Sequence, residues 1–341
     1  MRILGIESSC DETAAAVVED GRVVLSSVVA TQIPFHETYN GVVPEIASRK
    51  HTEWILPVVK QALSEASLGV SDIDGIAATS RPGLMGSLLV ALTFGKTLAW
   101  ALDKPFIAIN HMLAHLYAAH LERDIAYPYI GLLVSGGHSI ICKVSDFDDI
   151  EVMGTTVDDA VGEAFDKVAK HYGFGYPGGV AIDRLAKGGN PAAASFPLPS
   201  LHKGGHEYDV SYSGLKTAVI NQIDQFWNPA FERTDENIAA AFQETAVRIL
   251  LSRLLKAVRD TGITTVVAGG GVAANSRLRA LLAERGELTC VFPSLDLCGD
   301  NGAMIAGLGY RYLARGDRSP LDENASARVP GFRRFGRPRG T

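Results

Sequence analysis

Two stretches of the chain share one pattern of apolar and polar positions. In residues 2–29 three short apolar runs alternate with small polar turns, and residues 129–154 repeat this order. Short apolar runs bounded by turn residues are typical of β-strands. Each meander is followed by sequence of helical character, over residues 45–66 and 158–172. The pattern therefore predicts an α/β protein with two similarly built lobes.

Length and composition agree with two lobes. A chain of 341 residues is long for a single hydrophobic core, and its 47% hydrophobic and 21% charged residues describe a folded protein. We expect a first lobe over residues 1–110, completed by 308–327, and a second lobe over 111–307. Residues 328–341 then form a basic C-terminal tail.

The charge of the chain limits how it can contact nucleic acid. A formal net charge of −6 argues against a broad polyanion-binding surface, because phosphate contacts need clustered Lys and Arg. The tail offers a local cluster without an acidic residue, and it is either a solvated terminus or a contact for nucleic acid or a partner. Its arginines are Arg328, Arg333, Arg334, Arg337 and Arg339.

Nothing in the sequence points to a membrane or to an oxidising compartment. The four cysteines form no C-x-x-C pair, so neither a redox dithiol nor a zinc knuckle is indicated. The N-terminus has no signal-peptide pattern, and the long apolar stretch at 87–102 is interrupted by Gly95 and Lys96. We expect a cytoplasmic protein without a membrane partner.

Two glycine-rich turns each connect an apolar strand to a helix, within residues 74–102 and 264–284. A helix N-terminus after such a turn offers backbone N–H groups and the positive end of the helix dipole to an anion. Neither turn matches G-x-x-x-x-G-K-[ST], so a Walker-type phosphate loop is excluded.

A pair of histidines has the spacing of metal ligands. His111 and His115, in HMLAH, would lie on one face of a helix, although such a pair is more often structural. Met112 occupies the position of the catalytic Glu of H-E-x-x-H, which argues against a zinc peptidase. Asp300 is either a helix N-cap or a third ligand, and a two-His, one-carboxylate set suits zinc or ferrous iron.

Two polar turns at equivalent positions of the two meanders carry further candidate chemistry. The first contains Glu7, Asp11 and Glu12, three carboxylates that favour an acid/base or metal-linked role. The second is LVSGGHS, where the N–H groups of 135–137 could bind an anion beside His138. Asp166, Gly179 and Asp183 lie near predicted helix starts, where capping is the common role of an acidic residue.

The ordered set of these motifs resembles the TsaD family of tRNA threonylcarbamoyladenosine biosynthesis. The resemblance covers nearly the whole chain, from ESSCDET through HMLAH, LVSGGH, GEAFDKVAK, YPGG, SYSGLKTA and GGGVAANSRLR to GDNGAMIA. It implies two actin-like lobes, each a mixed sheet that opens with a strand meander and is flanked by helices, with a ligand cleft between them. The implied activity is transfer of threonylcarbamoyl from threonylcarbamoyl-AMP to the adenosine next to the anticodon, in tRNAs that read codons beginning with A.

The resemblance also implies roles for particular residues. His111, His115 and Asp300 would hold one divalent metal ion per subunit, Fe²⁺ or Zn²⁺. Asp11 and Glu12 match acidic residues linked to activity; we take one of them as the hypothetical proton acceptor, with His138 as the second choice. The nucleotide or acyl-adenylate site would be lined by Val134, Ser135, Gly136, Gly137, His138, Asp166, Gly179, Asp183 and Asn275.

The family further implies a TsaB-like paralogue and a TsaE-like ATPase as partners of the chain, besides tRNA and threonylcarbamoyl-AMP. Three alternatives stay open. An actin-fold small-molecule kinase or ATPase would share the fold without needing the histidine pair. A metallopeptidase lacks its helix glutamate, and a non-catalytic scaffold would tolerate loss of the acidic turn.

Overall fold

The structure is a computed structural model that describes residues 1–199, 201, 205–329 and 331–336. Its contacts divide the chain into two units. Unit 1 comprises Met1–Ile125 and Pro293–Gly331, and unit 2 comprises Ala126–Phe292 and the residues from Phe332 onward.

Each unit is built on one mixed sheet. The first sheet has the order β3-β2-β1-β4-β5 and the second the order β10-β9-β6-β7-β8-β11. In both, a three-stranded antiparallel meander is extended by parallel strands on the side of its first strand. The strands are β1 Arg2–Glu7, β2 Glu12–Glu19, β3 Val23–Thr31, β4 Gly75–Arg81, β5 Phe106–Asn110, β6 Tyr129–Val134, β7 Ser139–Asp146, β8 Asp149–Thr155, β9 Thr265–Gly269, β10 Thr289–Val291 and β11 Arg333–Arg334.

Helices flank both sheets, as the predicted α/β class requires. They are α1 Ile33–His36, α2 Pro44–Glu65, α3 Met85–Ala101, α4 His111–Tyr117, α5 Val161–Tyr172, α6 Gly178–Ala186, α7 Ser213–Asn221, α8 Ile223–Phe226, α9 Asp235–Thr261, α10 Ser276–Ala283, α11 Leu295–Cys298 and α12 Gly302–Arg315. The predicted meanders and the helices after them are confirmed. Among the described residues, no helix is both long and apolar enough to cross a membrane.

The units differ from the predicted lobes at their boundaries. Residues 111–125 and 293–307 were expected in the second lobe, but their contacts place them in unit 1. The reason is packing: α4 follows β5 directly and contacts α12, which in turn lies against β1. A Cβ on Gly5 of β1 would lie 2.2 Å from the carbonyl oxygen of Gly302 in α12, so strand and helix backbones are in direct contact.

Part of the C-terminal tail pairs with the second sheet. Strand β11 pairs in parallel with the edge strand β8, and the Phe335 N–H donates to the Val152 carbonyl. The Arg333 side chain forms ion pairs with Asp149 and Glu151. Arg333 is therefore engaged within unit 2, which weakens its expected role as a phosphate contact; Arg337 and Arg339 lie outside the described residues.

We expect Arg333→Ala to lower the free energy of unfolding by about 1 kcal/mol, because it leaves two carboxylates of the sheet edge without their cation. Arg334→Ala is the matched control, since Arg334 is exposed and should change stability by less than about 0.5 kcal/mol. Chemical denaturation of both variants measures the difference. Equal stability losses would show that the pairing of Arg333 contributes nothing.

Candidate active site

Three parallel strands of unit 1 end at one edge of its sheet, and their ends carry polar side chains. Glu7 is the last residue of β1, Thr79 lies near the end of β4, and His111 follows β5 as the first residue of α4. Strand β4 pairs in parallel with β1 on one side and with β5 on the other, so the ends of the three strands lie next to one another. The Asn110 side chain caps α4 by accepting hydrogen bonds from the backbone N–H groups of Met112 and Leu113.

The helix places both histidines as the i,i+4 spacing predicts. His111 and His115 are buried, with ring centroids 4.5 Å apart. Asp300 reaches them from the turn before α12. The N-cap of that helix is Asn301, whose side chain accepts a hydrogen bond from the Met304 N–H. The capping interpretation of Asp300 is thus wrong, and its carboxylate points to the histidines instead.

The three side chains converge with the geometry of a metal site. The Nε2 atoms of His111 and His115 are 3.1 Å apart, and Asp300 Oδ1 lies 3.0 Å from His115 Nε2 and 3.5 Å from His111 Nε2. A tetrahedral ion bound at about 2.0–2.1 Å separates its ligand atoms by roughly 3.4 Å. Two imidazole nitrogens and one carboxylate oxygen also match the donor set that zinc and ferrous iron prefer. These residues therefore fit a divalent cation.

The electrostatics of this cluster also favour a cation. Burial alone would lower the pKa of His111, but the charges of Asp300 and Glu7 raise it to about 9. Burial and the charge of His111 lower the pKa of His115. Burial opposes ionisation of Asp300, yet His111 and His115 hold its pKa below the usual range. A fully buried and a largely buried carboxylate thus require a positive charge between them, which a metal ion would supply.

The acidic turn lies between β1 and β2. The Asp11 carbonyl accepts a hydrogen bond from the Gln32 N–H, and the Thr31 hydroxyl donates to Glu12 Oε1 at 3.2 Å. Burial, followed by the charges of Asp11 and Asp300, raises the pKa of Glu12 well above its usual value. A half-buried carboxyl with a raised pKa suits proton transfer near neutral pH.

His51 of α2 contacts the acidic turn through hydrogen-bonding atoms. It was not identified as a site residue from the sequence. Its Nε2 lies 3.0 Å from the Cys10 carbonyl oxygen, and its Nδ1 lies 2.7 Å from the Thr13 hydroxyl. His51 is fully buried, and burial lowers its pKa. No spacing in the sequence connects α2 with the turn, because their contact depends on how α2 packs against β2.

In unit 2 the predicted glycine turn joins β6 to β7. The Ser135 N–H donates to the His138 carbonyl, which closes the turn. Gly136 and Gly137 are exposed, and an added Cβ at either would meet no atom within 4 Å. The turn is therefore open to a ligand. A Cβ on Gly162 of α5 would lie 2.7 Å from the Ser135 carbonyl oxygen, so the start of this helix is in direct contact with the backbone of the turn.

The second glycine-rich turn lies beside the first. Gly270, with φ of +90°, follows β9, and a Cβ there would lie 2.3 Å from the Val134 oxygen. Only a residue without a side chain allows this approach and this φ. Strands β6 and β9 are parallel neighbours, so their ends meet at one edge of the second sheet.

Two of the remaining predicted residues of unit 2 accept hydrogen bonds from the starts of neighbouring helices. Asp166 Oδ1 accepts from the Gly178 N–H at the start of α6, and Asp183 Oδ1 accepts from the Ser276 hydroxyl and N–H at the start of α10. Gly179 has open space where a Cβ would be.

Asn275 is buried, and both polar atoms of its amide form a hydrogen bond within the protein. Oδ1 caps α10 by accepting from the Leu278 N–H, and Nδ2 donates to Gln243 Oε1 at 2.8 Å. Its side chain therefore fixes the turn that precedes α10, as an N-cap does.

Comparison with known proteins gives consistent results over almost the full chain. The TsaD family, described as tRNA N6-adenosine threonylcarbamoyltransferase, matches residues 23–307. The chain is 76% identical over 337 residues to the protein of that name from Treponema denticola, covering 99% of this chain and 100% of the relative. Identity to the Treponema pallidum protein is 62% over 336 residues, covering 98% and 96%; for Borrelia hermsii it is 49% over 333 residues, covering 98% of each.

Solved structures with little sequence identity share the fold. HypF from T. kodakarensis superimposes with a TM-score of 0.63 at 15% identity, covering 92% of this chain and 48% of HypF. Component A of the Acidaminococcus fermentans (R)-2-hydroxyglutaryl-CoA dehydratase gives a TM-score of 0.54 at 16% identity, covering 92% and 99%. The expected actin-like ATPase fold is thereby confirmed.

We expect Asp300→Asn to lower the affinity for zinc by at least about a hundredfold, because the site loses its only carboxylate ligand. The melting temperature should stay close to that of the wild type, since no core packing depends on this side chain. Asp296→Asn is the charge-matched control, because Asp296 is exposed in the same segment. Zinc titration against a chelator gives the affinities. Wild-type affinity in Asp300→Asn would exclude the three-residue site.

Proposed function

The chain belongs to the TsaD family of tRNA N6-adenosine threonylcarbamoyltransferases, and we propose that its acyl donor is threonylcarbamoyl-AMP and that it works with one divalent metal ion per subunit. The chain is thus an acyltransferase that modifies an adenosine of tRNA. The target adenosine is the one next to the anticodon, in tRNAs that read codons beginning with A. The observation that carries the metal proposal is the convergence of His111, His115 and Asp300.

The reaction sets the requirements for the site. The N6 amine of adenosine attacks the carbamoyl carbonyl carbon, the bond from that carbon to the AMP phosphate oxygen breaks, and AMP leaves while N6 loses a proton. The amine is a weak nucleophile because its lone pair is conjugated with the purine ring. A divalent ion, Fe²⁺ or Zn²⁺, supplies Lewis-acid polarisation of the acyl donor when bound. The protein must supply orientation and a proton acceptor.

Glu12 is the proton acceptor in this proposal. Its raised pKa makes its carboxylate more basic than an ordinary one, and it is half-buried at the start of β2. After burial, the neighbouring charge of Asp11 is the next cause of the raised pKa of Glu12. His138 is the second candidate, because it lies in the open glycine turn of unit 2.

The AMP part of the donor is bound by unit 2. Gly136 and Gly137 are exposed and carry no side chain that would block a phosphate, and Ser135 closes their turn by donating its N–H to the His138 carbonyl. The open space at Gly179 admits a flat ring or a ribose. Val134, His138, Asp166, Asp183 and Asn275 complete this proposed site; the last three position the helix starts that surround it.

Transfer to tRNA requires help from partners in this proposal. A net charge of −6 gives little general attraction for a polyanion. The target base must also be unstacked before it can reach a protein site, which is easiest in the anticodon loop. We propose a TsaB-like paralogue and a TsaE-like ATPase as the partners.

The experiment is incubation of the chain with synthetic threonylcarbamoyl-AMP and tRNA, with and without both partners, followed by mass spectrometry of tRNA nucleosides. We expect threonylcarbamoyladenosine only at the position next to the anticodon, with little turnover unless the partners are present. An unmodified tRNA in the complete mixture would contradict the proposed donor. Full multiple turnover by the chain alone would contradict the need for partners.

The rate of transfer should depend on pH through Glu12. A proton acceptor must be ionised, so kcat/KM should rise with pH through a pKa above that of an ordinary carboxyl, because the pKa of Glu12 is raised. Glu12→Gln should lower kcat by at least about a hundredfold and remove this acid limb. Pre-steady-state rates across the pH range provide the test. If the acid limb is unchanged in Glu12→Gln, another group is the proton acceptor. His138→Asn is then the next variant to test.

A further inference from the structure

Glu7 is not one of the proposed metal ligands, although its side chain is fully buried at the end of β1 beside them. One of its oxygens, Oε2, lies 3.0 Å from Nδ1 of His111, the nitrogen on the far side of the ring from the converging ligand atoms. The ion pair recorded for Glu7 among the described residues is with this histidine. A buried carboxylate is costly unless its position is used.

The hydrogen bonds around Glu7 fix its orientation. Oε1 accepts from the Ser9 backbone N–H, and Oε2 accepts from the Thr79 hydroxyl as well as from His111. Each donor comes from a different segment: the turn after β1, strand β4 and helix α4. The carboxylate therefore cannot rotate without breaking a buried hydrogen bond.

This orientation determines which nitrogen of His111 faces a metal. An ionised carboxylate only accepts, so Nδ1 of His111 must carry the hydrogen. The lone pair of Nε2 is then directed toward Nε2 of His115 and Oδ1 of Asp300. His115 has no such support, because its Nδ1 is buried without a hydrogen-bond partner in the described part of the chain.

We propose that Glu7 is a positioning residue that holds His111 in the tautomer and orientation required for metal binding. This inference rests on the metal site proposed above and concerns the residue behind it. Carboxylates behind metal-bound histidines orient the ring and raise its basicity. Since only one of the two histidines has this support, metal affinity should depend strongly on Glu7.

Glu7→Gln reverses the polarity of the contact while keeping the shape of the side chain. The Ser9 N–H is a fixed backbone donor, so the amide oxygen must occupy the position of Oε1. The amide NH₂ then faces Nδ1 of His111 and donates to it, which favours the tautomer with the hydrogen on Nε2. The Ser9 hydroxyl, 3.2 Å from Nδ1, can donate or accept and so fits either tautomer. Thr79 can adapt, since its hydroxyl also lies 3.4 Å from the Ile6 carbonyl oxygen.

The test is zinc titration of the metal-free full-length chain against a chelator, combined with thermal melting. We expect Glu7→Gln to bind zinc about 10–100-fold more weakly than the wild type, with a similar melting temperature without metal. Glu12→Gln is the control: it makes the same substitution at the other end of the turn between β1 and β2, but no hydrogen bond joins Glu12 to a ligand histidine in the described structure. Its zinc affinity should stay within about threefold of the wild type.

A spectroscopic readout separates positioning from general stability. In the metal-free wild type, Glu7→Gln and Glu12→Gln, at a pH where the His111 ring is neutral, we would record the proton spectrum of the histidine N–H groups after selective labelling. The Nδ1 proton of His111 should give a low-field, exchange-protected resonance in the wild type and in Glu12→Gln. That resonance should be absent or shifted to high field in Glu7→Gln.

The outcomes distinguish this inference from the metal proposal. If the wild type itself binds no zinc or ferrous iron, both are overturned. If the wild type binds zinc and Glu7→Gln binds it within twofold, only the role of Glu7 is overturned. Should Glu7→Gln fail to fold, Thr79→Val decides, because it removes one of the bonds that fix Glu7: a loss of about threefold or more supports the inference, and an unchanged affinity overturns it.

Discussion

One fully buried and one largely buried carboxylate flank a pair of histidines in unit 1, and this charge arrangement constrains the rest of the site. Glu7 and Asp300 lie on opposite sides of His111, and the ion pairs recorded for both in the described residues are with histidines alone. Buried carboxylates without a cation are strongly destabilising. A proton on His111, or a metal ion between His111, His115 and Asp300, meets this requirement, and the geometry of the three ligand atoms favours the metal.

The fold brings these residues together by common means. Parallel strands end at one edge of a sheet, so the residues after β1, β4 and β5 become neighbours although they are far apart in sequence. The close contact of Gly5 with α12 then places the turn before that helix, with Asp300, at the same edge. In unit 2 the same arrangement brings the turn after β6 next to the turn after β9. A duplicated sheet thus provides a carboxylate-rich edge in one unit and an amide-rich edge in the other.

The sequence was informative where local patterns decide the structure. The two meanders and the i,i+4 histidine pair depend on residues close in sequence, and the structure has them where they were expected. The packing of distant segments decides the rest. It sets the lobe boundaries, it leaves Asp300 available as a ligand instead of a helix cap, and it forms the hydrogen bond from His111 to Glu7. Asp300 illustrates the limit: its position before a helix suggested a cap, yet the next residue, Asn301, takes that role. His51 contacts the acidic turn only because α2 packs on β2, which no spacing reveals.

The central claim is that one divalent cation is bound by two histidines and one carboxylate within unit 1. The most direct measurement is anomalous X-ray diffraction from crystals of the protein loaded with zinc or, without oxygen, with ferrous iron. We predict one strong anomalous peak per subunit within about 2.3 Å of Nε2 of His111, Nε2 of His115 and Oδ1 of Asp300. An anomalous peak next to other residues, or no anomalous peak at full metal loading, would contradict the account.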